Sequence, residues 1–172
     1  MLEGCAELPN RHDLAVYTHV YETRGQVLIA RELYGRHGGS LISYLDSVGL
    51  LGSKLNIVHS VWISRAEMDR MAAADAGIVL NHLSNMKLKS GIAPILDLRE
   101  AGVRLGLGCD NCSGSDVQSV FQVMKLFCLL AAVSEPEPAP DWRVRSFAMQ
   151  RSEMPVPPAW MAGSVQSRRL QG

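Results

Sequence analysis

The chain has 172 residues, and its 17 Lys and Arg balance its 17 Asp and Glu, so the formal net charge is zero. That length can bury one real core, and with no basic stripe nothing argues for nucleic acid. No apolar run approaches the roughly 20 residues of a membrane span. The opening Met-Leu-Glu-Gly-Cys-Ala-Glu lacks the order of a signal peptide, and Cys5, Cys109, Cys112 and Cys128 are too scattered for a disulfide framework. A soluble, cytoplasmic protein is expected.

Residues 1–12 read as the end of a helix with Cys5, Ala6 and Leu8 on its apolar side. Leu14–Glu22 then reads as a strand whose end delivers His19 and Glu22. Thr23-x-x-Gln26 is a capping-box pattern, followed by Val27, Leu28, Ala30 and Leu33 at helical spacing. Ser40 caps a short helix carrying Leu41, Ile42, Leu45 and Val48, and Gly49 stops it. Leu55–His59 is a second strand that also ends on a histidine. Ser64-x-x-Glu67 is another capping box, opening a helix through Met68, Met71 and Ala72.

Gly77–Leu80 is a third strand, with Asn81-His82-Leu83-Ser84-Asn85 as its polar exit. Pro94 starts a helix with Ile95, Leu98 and Ala101 inward and Gly102 beyond its end. The fourth strand, from Val103, runs to Asp110. Ser115-x-x-Gln118 then caps a long helix whose inner face is Val120, Phe121, Met124, Phe127, Cys128 and Ala131. Strand, polar exit and capped helix thus repeat four times. Such alternation implies a parallel sheet covered by helices, and in a (β/α)₈ barrel the chemistry sits on the loops after the strands. Every functional-looking residue here falls at such a place.

With their flanks, these residues carry a likeness. Thr-His-Val-Tyr-Glu-Thr at 18–23, Val-His-Ser-Val-Trp at 58–62, Ser-Asn-Met-Lys-Leu-Lys-Ser-Gly-Ile-Ala-Pro at 84–94 and Ala-Gly-Val-Arg-Leu-Gly-Leu-Gly-Cys-Asp at 101–110 stand in one order. In that order they resemble the amidohydrolase superfamily, in its cytosine deaminase, S-adenosylhomocysteine deaminase and triazine hydrolase branch. The resemblance implies an α/β fold, a partial TIM (β/α)₈ barrel of about strands five to eight. It implies that His19 and Asp110 are metal ligands, that Glu22 shuttles protons, and that His59 hydrogen-bonds the attacking water or the substrate. Asp110 would also take that water's proton. The implied cofactor is a divalent metal, Zn before Fe. The implied reaction is hydrolysis of a non-peptide carbon–nitrogen bond, as in deamination of a cyclic, amine-bearing small molecule.

The chain departs from that pattern in two ways. The family draws two more ligands from a His-x-His, and none occurs among His12, His19, His37, His59 and His82. Where the family usually has a proline after the seventh strand, His82 stands. A catalytically inactive, truncated fragment is therefore the alternative reading, with a second copy or a complementary half-barrel as its partner. Blander roles stay open: His19 as a strand-end histidine, Glu22 as a first-turn helix acid, and Trp62 as pocket wall or core. His82 reads as a loop or supporting histidine before a substitute ligand. Ser84 and Asn85 read as loop-orienting residues before substrate contacts, and Cys109-x-x-Cys112 as incidental flanks of Asp110.

The expected division is a half-barrel over 1–135 and a linker with an irregular, disordered or aberrant tail over 136–172. In that tail Met149-Gln150, read two bases later, must encode Ala, and Trp160-Met161-Ala162 must encode Asp-Gly. Both suit the family's continuation, so a slipped reading frame near 136–141 is expected.

Overall fold

A computed structural model of the chain describes residues 2–115 and 118–134. Helix α1 (Leu2–His12) precedes β1 (Val16–Val20), followed by α2 (Arg24–Leu33), a 3-10 turn at Gly35–His37 and α3 (Leu41–Ser47). Then come β2 (Leu55–His59), α4 (Arg65–Ala73), β3 (Gly77–Leu80), α5 (His82–Lys87) and α6 (Ile95–Glu100). The last elements are β4 (Arg104–Leu107), α7 (Cys112–Ser115) and α8 (Val120–Ser134). The strands form one sheet in the order β1-β2-β3-β4, each pair parallel. This is the expected α/β half-barrel. The tail beyond 134, with its linker and slipped-frame reading, lies outside the described residues. No described helix is long and apolar enough to cross a membrane.

Register assigns the two faces of the sheet. Thr18, Ile57, Ile78 and Leu105 lie side by side, and the last three join the core with Ile42, Leu45, Met68, Met71, Ile95 and Leu98 from the helices. On the other face Tyr17, Asn56, Gly77 and Arg104 align in one layer, and His19, Val58, Val79 and Gly106 in the next. In a closed barrel that second face is the interior. Its lower layer is tight: a Cβ on Gly77 would sit 2.4 Å from Asn56 Oδ1, so only glycine fits. Arg104 donates there to the Ser53 and Asp75 carbonyls at 2.7 and 2.9 Å. Among the described residues, β1 and β4 pair on one side only.

Local sequence explains most element starts. Thr23 Oγ1 accepts from Gln26 N–H at 3.4 Å, but the Gln26 side chain bonds Glu22 N–H at 2.8 Å, so the box closes one residue early. Ser40 caps α3 by accepting from Ser43 N–H at 3.1 Å. Glu67 closes the box at α4, accepting from Ser64 N–H at 3.0 Å and from its hydroxyl at 2.7 Å.

Five expectations are corrected. The first and fourth strands are shorter, ending at Val20 and Leu107, so Glu22 and Asp110 stand on the exits beyond them. The polar exit after β3 is helix α5, whose buried His82, Ser84 and Asn85 disguise it as a loop. Ser115 ends α7 instead of capping α8; the Ser119 carbonyl accepts the first bonds of α8, from Gln122 and Val123. The buried face of α8 is Val123, Phe127 and Ala131, while Val120 and Phe121 are exposed. On α1, Ala6 is buried but Cys5 and Leu8 are exposed.

Candidate active site

Because the strands are parallel, their C-terminal ends form one rim, and each expected functional residue stands there. His19 is the penultimate residue of β1, on the barrel-interior face, and its side is exposed. Glu22 follows two residues after β1, His59 closes β2, and Asp110 stands three residues beyond β4. The His19 and His59 rings lie 5.1 Å apart between centroids. His59 Nε2 is 4.0 Å from Glu22 Oε2, too long for a hydrogen bond.

The backbone at this rim is strained. Tyr21, His59, Ser60 and Asp110 all adopt left-handed φ, from 50° to 74°. Each such residue costs about 1–3 kcal/mol and persists only where its surroundings fix it. Those surroundings are visible. Ser60 N–H donates to the Val20 carbonyl at 3.0 Å, and Trp62 N–H to the Tyr21 carbonyl at 3.1 Å. Tyr21 is buried, and its hydroxyl donates to Glu67 Oε1 at 2.8 Å while accepting from Leu41 N–H at 2.8 Å. Ser40 Oγ donates to the same carboxylate oxygen at 2.6 Å. Burial above all raises the Tyr21 phenol well above its ordinary value, so it stays a donor. One buried carboxylate thereby ties the exit of β1 to the starts of α3 and α4.

Asp110 is held charged. Burial pushes its carboxyl up, but the Ser84 hydroxyl, the Asn111 N–H and the His59 and His19 rings outweigh that and leave it below its ordinary value. Asn111 N–H donates to Asp110 Oδ1 at 2.7 Å. The Ser84 hydroxyl lies near the carboxylate without closing a bond of good geometry. A Cβ on Gly114 would meet Ser84 Oγ at 2.9 Å, so α7 closes tightly over that serine.

Other sequence candidates fall elsewhere. His82 is wholly buried with its ring 5.7 Å from Phe127, and neither nitrogen has a partner among the described residues. It packs as a buried side chain beside α8. Trp62 is not core: it is 42% exposed, lines a cavity with Tyr21 and Glu67, donates from Nε1 to the Ser90 carbonyl at 2.9 Å, and has the Arg24 guanidinium 6.0 Å from its ring. Cys109 and Cys112 are free thiols. Two features escaped sequence reasoning: the Tyr21–Glu67 link, and the Asn85 side chain, whose Oδ1 lies 2.8 Å from His59 Nδ1. The Ser84-Asn85 pair was a signal for the second, but not for its partner.

His19 and Asp110 are the donor types a catalytic zinc uses. Among the described residues, however, no three His, Cys, Asp or Glu side chains converge to hold a metal. The donor types fit an ion; their number falls short of a complete site.

Relatives resemble the chain in sequence and in fold. The chain is 36% identical over 138 residues to the 5'-deoxyadenosine deaminase of Methanothermobacter thermautotrophicus, covering 80% of this chain and 32% of that protein. It is 33% identical over 138 residues to the 5-methylthioadenosine/S-adenosylhomocysteine deaminase of Thermococcus kodakarensis, again over 80% of this chain and 32% of the other. A solved adenosine deaminase from Xanthomonas campestris with bound zinc superimposes at a TM-score of 0.69 and 29% identity, over 77% of this chain and 30% of that one. The chain thus spans about a third of the length of the relatives it matches. A model of the amidohydrolase family matches residues 1–148, and on that match, most of its length, the chain belongs to the amidohydrolase family.

Proposed function

We propose that this chain supplies the proton-handling side of a hydrolytic deaminase centre, acting on the carbon–nitrogen bond of a cyclic, amine-bearing small molecule. The observation that carries the reading is the meeting of Glu22, His59 and a charged Asp110 on one rim. The names of the deaminase relatives support a substrate of the adenosine class. A divalent metal, Zn before Fe given the zinc-bound relative, would have His19 and Asp110 among its donors and would lower the pKa of a water towards about 7. Further donors would have to reach the rim from a second copy of the chain or a complementary half-barrel.

The chain's own residues do the rest. His59 orients the attacking water through Nε2, Asp110 takes one of its protons, and a protonated Glu22 gives its own to the ring nitrogen beside the attacked carbon. Glu22 then takes the remaining hydroxyl proton and passes it to the departing amino group, and the proton held by Asp110 restores Glu22. A carbon–oxygen bond forms, the carbon–nitrogen bond breaks, and ammonia leaves with a carbonyl in its place. A positioned acid–base group of this kind contributes about 10²–10⁴-fold.

The donor count favours a second reading, in which the chain alone is catalytically silent. Zinc content and ammonia release from 5'-deoxyadenosine, measured on the purified chain, separate the two. The first reading expects bound zinc that is lost in His19→Ala and Asp110→Ala, and ammonia release that is lost in Glu22→Gln while zinc is kept. A chain that holds no zinc and releases no ammonia overturns it in favour of the second.

A further inference from the structure

His59 is a closely held side chain on the rim. It is 1% exposed, it is followed by a second left-handed residue, and among the described residues its ring hydrogen-bonds Asn85. The pairing is specific in direction. An amide oxygen can only accept, so the imidazole nitrogen facing it must carry the proton. The ring is then the Nδ1–H tautomer, and Nε2 presents a lone pair towards Glu22, 4.0 Å away. Asn85 adds no charge, so it selects the tautomer without adding a negative group beside the ring.

Asn85 is itself built into place. It is fully buried on α5, its N–H donates to the Asn81 carbonyl at 2.9 Å, and its carbonyl accepts from Ser90 N–H at 2.8 Å. The Ser90 carbonyl in turn receives Trp62 Nε1–H, three residues past His59. A Cβ on Gly91, at φ 121°, would lie 2.9 Å from Val61 Cγ1, so the segment after α5 presses on the same exit. The β2 exit and α5 are thus joined twice, once through His59 and once through Trp62. Asn85 Nδ2 has no acceptor among the described residues. A buried donor left unpaired costs about 1–3 kcal/mol, and an apolar residue at 85 would in turn leave the buried His59 Nδ1 without its partner.

We propose that Asn85 is the positioning residue for His59, fixing its Nδ1–H tautomer so that Nε2 accepts a hydrogen bond at the reaction rim. What Nε2 is used for rests on the deaminase reading above; the tautomer does not.

The test is ¹⁵N NMR of the imidazole rings in the full chain at about pH 8.5, where an ordinary imidazole is neutral. His59→Gln assigns the signal. The expected spectrum has the His59 proton on Nδ1 in the wild type and in Asn85→Asp, which keeps an accepting oxygen. In Asn85→Leu the ring shifts to a mixture or to Nε2–H. A wild-type ring protonated on Nε2 overturns the proposal, as does an unchanged Nδ1–H tautomer in Asn85→Leu. If Asn85→Leu does not fold, the wild-type and Asn85→Asp spectra still decide. Loss of the tautomer with zinc binding intact leaves the deaminase reading standing, whereas absent zinc with the tautomer in place counts against that reading alone.

Discussion

His82 offers a measurement of how dry the interior beside α8 is. Its ring is fully buried, 5.7 Å from Phe127, and neither nitrogen meets a partner among the described residues. Burial lowers its pKa from 6.5 to about 4. The unfolded chain therefore binds more protons than the folded one between those values. The stability tied to neutral His82 is complete above the unfolded value and is lost as pH falls through the folded one. At about 1.36 kcal/mol for each step in pH, the gap is on the order of 3 kcal/mol. His82→Met is the control, because methionine has comparable bulk, does not titrate and adapts its shape. Urea unfolding of both proteins from about pH 7.5 down to 4 gives the difference in stability at each pH. The wild type is expected to fall behind the variant by on the order of 3 kcal/mol over that range. At neutral pH the variant should be no less stable, since it leaves no polar atom unpaired. A difference that stays constant with pH refutes the reasoning, because it would mean the imidazolium is accommodated where it stands.

Two further substitutions probe the rim. Tyr21→Phe removes a donor from Glu67 and the acceptor for Leu41 N–H, and should cost on the order of 2–3 kcal/mol in urea unfolding; a loss below about 0.5 kcal/mol would place the network outside the folding balance. Gly108→Ala puts a Cβ 2.2 Å from Asn81 Oδ1 and 3.0 Å from Val79 Cγ1. The forced shift should destabilise by about 1–3 kcal/mol, and a thermal midpoint equal to wild type would contradict it.

The strands β2 and β3 were legible because they are buried on both faces and read as short, mostly apolar runs, β2 ending on His59. Helices α3 and α4 were legible from Ser40 and from Ser64 with Glu67, since a cap is a local rule. Helix α5 was not. Its inward side chains are His82, Ser84 and Asn85, because it packs against the site as well as the core, and the apolar period that marks a helix is missing. Helix α8 failed for the opposite reason. It is apolar nearly all round, so its pattern did not say which face turns inward. At the rim, His19, Glu22, His59 and Asp110 could be picked out one by one as strand-end residues. The couplings Tyr21–Glu67 and His59–Asn85 join residues 46 and 26 positions apart, which no local pattern encodes.

The left-handed backbone at Tyr21, His59, Ser60 and Asp110 sets a limit on how this protein can be improved. Glycine would relax each of these positions, yet at His59 or Asp110 it would erase a side chain that the proposed deaminase reading uses. Comfort of the chain and chemistry of the side chain compete for the same addresses. Attempts to harden the protein against heat should therefore work from the helical layer, far from the strand exits, and leave the rim uneasy.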